Sequence, residues 1–163
     1  MVYDRVVDLY LGSRELQVRS FPGHTGGDSV VRVPDAKVVY AGDLFWCRNL
    51  PNLIDASTLP WIDTLETLVK DYANDTFVPG HGDVGTVRDV AAFRDYLKAL
   101  RTLVAGAKVQ GQSGDALAQT IMPALKGTYG GWAFFQEVVK ENVLQTDAEL
   151  TGRKRVPHVP VVP

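Results

Sequence analysis

Cysteine is almost missing from this chain. A single thiol, Cys47, excludes an intrachain disulfide and a thiolate-rich zinc site built from one copy. It also fits a reducing compartment, so a cytoplasmic location is expected. Long hydrophobic runs are missing too: no stretch approaches the roughly 18 consecutive apolar residues of a spanning helix. The N-terminus lacks the basic and apolar regions of a secretory leader, so neither a membrane partner nor export is expected. Nor is there an excess of positive charge. The formal net charge of −2 leaves no basic footprint for nucleic acid or anionic lipid. The partners left open are small molecules and protein.

What the chain does have is the makings of one globular domain. Its 163 residues are 45% hydrophobic and 22% charged, a size and balance that support a buried core. Apolar and polar residues alternate from Arg5 to Leu11 and from Glu15 to Ser20 around Gly12-Ser13, which predicts a hairpin. Residues 21–28 form a turn-rich loop containing Pro22, Gly23, Gly26 and Gly27. Strands are expected again over 29–33 and 38–41, with Gly42-Asp43 ending the second, and a very short one over 76–79. Helical spacing predicts amphipathic helices from Pro60 or Trp61 to Ala73 and from Val87 to Val109. Two more are expected over 115–125 and 132–150. The stretch from Gly152 to Pro163 carries Arg153, Lys154 and Arg155 and several prolines, and reads as a solvated arm.

Histidine is scarce: there are three. Two of them lie in glycine-flanked loops that each follow an apolar strand, Gly23-His24-Thr25-Gly26 and Pro79-Gly80-His81-Gly82. A metal ligand needs an imidazole held rigidly at a strand end, and flanking glycines permit both the turn and the close approach of a substrate. Asp43 follows the strand 38–41 and is preceded by Gly42, so it is a carboxylate presented in the same way. Two imidazoles and one carboxylate are a ligand set for a divalent metal with open positions. A histidine in a glycine loop is also an ordinary turn residue, and neither one alone identifies a site.

Taken in order, Pro22-Gly23-His24-Thr25-Gly26-Gly27-Asp28, Gly42-Asp43-Leu44-Phe45 and Val78-Pro79-Gly80-His81-Gly82 resemble the third, fourth and fifth metal motifs of the metallo-β-lactamase superfamily. The likeness extends to Glu141-Asn142-Val143 and to residues 148–152, which resemble the closing helix of its general metallohydrolase branches. It implies an α/β (α+β) fold: half of an αββα sandwich, one mostly antiparallel or mixed sheet covered by helices. Residues 1–152 would be that C-terminal half domain and 153–163 a basic, Pro-rich tail. The resemblance also implies metal binding by His24, Asp43 and His81, with Asp28 and Thr25 supporting the loop behind them. One or two zinc ions are expected, with iron or manganese as alternatives. In the family such metals activate a water for attack on an ester, thioester or lactam carbonyl.

One departure limits the carry-over. The superfamily's first cluster, His-x-His-x-Asp-His, has no counterpart here, and the third histidine, His158, lies in the tail. A half sandwich exposes a large apolar sheet face that something must cover. A homodimer that imitates the full sandwich is expected on that ground, since closed two-fold dimers are the commonest assembly. The alternative is a truncated, non-catalytic domain serving binding or assembly, or a piece of a longer hydrolase. Asp28 is equally read as a brace of its own loop. Trp46, Trp61 and Trp132 are read as core or interface, and Cys47 as an ordinary semi-buried thiol.

Overall fold

The computed structural model describes residues 5–156. Strands β1 (Val6–Leu11) and β2 (Arg14–Ser20) form the expected hairpin, turning through Gly12 at a φ of +64°. β3 (Ser29–Val33) and β4 (Val38–Trp46) follow, joined by a single turn of 3-10 helix over Pro34–Ala36. The chain then passes through α1 (Thr58–Asp71) to β5 (Thr76–His81) and closes with α2 (Val87–Val109), α3 (Gly114–Tyr129) and α4 (Phe135–Leu150). The five strands make one sheet in the order β1-β2-β3-β4-β5, antiparallel except for the β4–β5 pair, which is parallel. The expected α/β class and mixed sheet are therefore present, with four helices.

β4 corrects the sequence reading. It continues past Ala41 to Trp46, so Asp43 lies inside the strand and does not follow its end. The register against β5 shifts between Tyr40 and Gly42 and again between Gly42 and Trp46, and Gly42 takes a φ of +52°. Such irregularities re-aim side chains without ending a strand. β5 likewise carries on through Pro79 and includes His81.

The helix boundaries have physical reasons. α1 begins at Thr58, ahead of Pro60, because Glu149 of α4 caps it: its carboxylate accepts from the Thr58 amide at 3.1 Å and from the Thr58 hydroxyl at 2.8 Å. α2 runs over the expected residues, opened by a capping box between Thr86 and Asp89. α4 starts at Phe135, later than expected, because Ala133 is drawn into a bridge with Asn49 and Phe134 adopts a φ of +62°. The start of the tail is tied down, contrary to the solvated arm expected. The Arg153 guanidinium meets Asp147 at 2.6 Å, and Lys154 donates to the carbonyls of Leu53 and Ala56. The rest of that arm, including His158, lies outside the described residues.

The helices cover one face of the sheet. Val30, Val39, Ala41 and Phe77 point into a core with Leu44, Phe45, Trp61, Leu65, Phe93 and Leu97. The cross-strand pairs Val7–Val18, Leu9–Leu16, Val18–Val31 and Val31–Tyr40 lie on the opposite face. These residues form an apolar, uncharged row, and Tyr40 is 50% exposed while its neighbours Val39 and Ala41 are buried. Among the described residues no helix is long and apolar enough to cross a membrane.

Candidate metal centre

The first candidate ligand sits in a loop that fixes itself. The Asp28 carboxylate accepts from the Thr25 amide at 2.7 Å and from the Thr25 hydroxyl at 2.8 Å, an Asx-type brace. Asp28 and Thr25 thus hold the loop shape around His24. The loop is also docked on α1: the Ser57 amide donates to the Gly23 carbonyl at 3.0 Å, and the Thr64 hydroxyl donates to the Pro22 carbonyl at 2.7 Å. A side chain at Gly23 would run into Leu44 and Trp61. Only glycine lets the loop lie this close to the core.

β4 and β5 supply the other two. Asp43 projects from the irregular stretch of β4, and His81 ends β5 beside it. His81 Nε2 stands 3.5 Å from Asp43 Oδ1, and His24 Nδ1 stands 3.9 Å from Asp43 Oδ2. One carboxylate therefore faces two imidazoles, one from a loop and one from the end of β5, far apart in sequence, at contact distances longer than a good hydrogen bond. Close approach of the two strands needs Gly80, where a Cβ would collide with the Asp43 carboxylate and lie 2.8 Å from the Gly42 carbonyl carbon.

Two tryptophans, Trp46 and Trp61, buried in the core as expected, also wall the group. Trp46 stacks on His81 with ring centroids 3.7 Å apart at 24°, and its indole N–H donates to the Asp43 carbonyl at 3.1 Å. Trp61 meets His24 edge-on at 5.6 Å, and its indole N–H donates to the Leu44 carbonyl at 2.9 Å. Both clamp the backbone immediately after the Asp43 side chain. Trp132 packs with Tyr96 and Tyr129, away from the site. Cys47 is buried, which pushes its thiol above the ordinary 9.0 and keeps thiolate, the form that binds metal, scarce.

The donor chemistry suits zinc or a similar divalent ion. His24 Nε2 is buried without a hydrogen-bond partner, an orphaned donor-acceptor of the kind a missing ligand explains. The geometry is only a partial shell. Among the described residues, no group of three or more His, Cys, Asp or Glu side chains is gathered so that it could hold an ion.

Two imidazoles and a carboxylate brought together where β4 and β5 meet the His24 loop, on a mixed sheet backed by helices, define the class before any comparison: an α/β domain with a candidate metal centre. No protein-family model matches the chain. It is 34% identical over 86 residues to a metallo-β-lactamase type 2 of Bacillus sp. (strain 170), a match covering 49% of this chain and 33% of that protein. A metallo-β-lactamase type 2 of Bacillus cereus is 33% identical over the same length. The chain thus matches about a third of the length of these curated relatives. A metallo-β-lactamase structure from Pontibacter korlensis superposes with a TM-score of 0.55 at 26% identity, covering 59% of this chain and 47% of that one. A double mutant of the sec-alkyl sulfatase PisA1 shares the fold over 93% of this chain and 26% of its own, with a TM-score of 0.73 at 13% identity. This chain is a relative of the metallo-β-lactamases over about half of its length and carries part of their fold.

Proposed function

We propose that this chain is the metal-binding half of a metallo-β-lactamase-like hydrolase, with His24, Asp43 and His81 as its zinc ligands. The observation that carries the reading is the single Asp43 carboxylate facing both imidazoles. When bound, the metal would supply a water of lowered pKa for attack on an ester, thioester or lactam carbonyl. The chain's own residues do the positioning. Asp43 faces both imidazoles, the Trp46 ring stacks on His81, and the Thr25–Asp28 brace shapes the loop that carries His24. Rigid support of this kind lowers the cost of organising a site.

Completion of the shell is the second part of the reading. The uncharged row from Val7 to Tyr40 is the face that a partner layer would cover, and a homodimer imitating the full sandwich is the assembly we propose. A self-paired face of this kind meets no like-charge repulsion. The alternative is a binding or assembly domain without turnover, favoured by the lack of a gathered three-ligand cluster among the described residues.

Metal content measured after purification in metal-free buffer separates these. Stoichiometric zinc in the native chain, lost in both His24→Ala and His81→Ala while their circular dichroism is kept, supports the site. Absence of metal from the native chain, before and after zinc dialysis, leaves the non-catalytic reading.

A further inference from the structure

The His24 loop leans on one side of α1. The Ser57 amide donates to the Gly23 carbonyl at 3.0 Å, the Trp61 ring meets His24 edge-on at 5.6 Å, and the Thr64 hydroxyl donates to the Pro22 carbonyl at 2.7 Å. Positions 57, 61 and 64 follow at intervals of four and three, so they stack on one side of the helix over its first turns. Where α1 starts therefore decides where His24 sits.

That start has no local cause. A helix opens with amide N–H groups that find no partner inside it. Ser57 gives α1 no side-chain cap, and its first turn holds no acidic residue. The acceptor comes from α4: the Glu149 carboxylate accepts from the amides of Thr58 and Leu59 at 3.1 and 3.4 Å and from the Thr58 hydroxyl at 2.8 Å. Thr58 is fully buried, so its amide has no water to fall back on. Arg101 of α2 donates to the same carboxylate at 2.9 Å and to the Thr58 hydroxyl at 2.6 Å. Just beyond α4, the Lys154 ammonium donates to the carbonyls of Leu53 and Ala56, which pins the approach to α1.

We propose that Glu149 is a positioning residue for the metal centre. With Lys154 it docks the end of α4 on residues 53–58, and through Ser57 and Trp61 that docking fixes the His24 imidazole. Its effect on zinc rests on the proposed ligands; its effect on the loop does not. Coupling of this kind is reciprocal, so zinc bound at His24 tightens the end of α4 in turn.

Two measurements on the full chain test it. In the metal-free protein, amide hydrogen exchange is followed by NMR at Ser57, whose amide holds the Gly23 carbonyl, and at Leu97, which lies inside α2 and reports opening of the whole fold. Glu149→Ala is expected to speed exchange at Ser57 more than at Leu97, whereas Ile121→Ala, a core truncation in α3, speeds both alike. Zinc titration is expected to give about tenfold weaker binding to Glu149→Ala, native binding to Ile121→Ala, and partial rescue in Glu149→Gln, which keeps an accepting oxygen. Equal acceleration at Ser57 and Leu97 in Glu149→Ala, or zinc affinity that falls as far in Ile121→Ala, overturns the proposal. Lys154→Met, which keeps the apolar stem and removes the donor, carries the same comparison if Glu149→Ala does not fold. A native chain that binds no zinc fails the metal reading itself, and the exchange ratio still decides whether Glu149 holds the His24 loop.

Discussion

At the scale of single residues, the site depends on glycine and tryptophan as much as on its candidate ligands. Gly80 has no room for a methyl group against Asp43. Gly80→Ala is therefore expected to push the carboxylate away from His81 and to abolish zinc retention, measured by metal analysis, while the chain stays folded. Trp61→Phe keeps most of the buried ring but leaves the Leu44 carbonyl without the donor it has at 2.9 Å. An unsatisfied buried carbonyl costs about 1–3 kcal/mol, which urea denaturation would read as a lowered midpoint. The same glycine-flanked histidines were legible in the sequence because glycine beside histidine is a local pattern. The two indoles were not, because a tryptophan in a core and one beside a ligand look alike until the chain is folded.

At the scale of elements, helix starts show where local and distant causes divide. α2 carries its own signal: Asp89 lies three residues after Thr86 and accepts from its amide and hydroxyl. Those bonds, the amide's first, hold the Asp89 carboxyl below its ordinary 3.8. A carboxyl depressed in the folded state stabilises above its unfolded pKa, and that stability is lost as pH falls through the folded value. Asp89→Asn is expected to cost about 1 kcal/mol at neutral pH, and the difference from the native chain should shrink in thermal melts taken at about pH 3. α1 has no such box. Ser57 at its start makes no side-chain cap, and Glu149, also paired with Arg101 at 2.9 Å, does the capping from α4. Glu149→Ala should accordingly destabilise more than an ordinary surface substitution, by about 2 kcal/mol, since it removes a cap and leaves Arg101 with only the Thr58 hydroxyl as acceptor. Guanidinium melts of the two variants would rank them, Glu149→Ala below Asp89→Asn.

At the scale of the molecule, the sheet is finished on one side only. Its helical face is closed by large side chains such as Phe45, Trp61, Phe77 and Phe93, all fully buried. Its other face presents the row linked by Val18 and Val31. Apolar rows of this size seek a cover. If the cover is a second copy, light scattering should give twice the monomer mass, and Val31→Asp should return the monomer with its helices intact by circular dichroism. A native chain that is monomeric at all concentrations and binds no hydrophobic dye would remove the reason for the dimer.

Local chemistry was enough to place the hairpin at Gly12, the long helix from Val87 to Val109 and the loop bearing His24, because period, turn residues and caps act over a few positions. It was not enough to show that β4 runs on through Asp43 to Trp46, since a strand persists by pairing with β5, nearly forty residues away in the chain. Convergence of the two imidazoles on one carboxylate and the capping of α1 by Glu149 are likewise decisions of the tertiary structure. Each joins groups whose separation along the chain gives no local preference for meeting, so only the packed sheet and helices could bring them together.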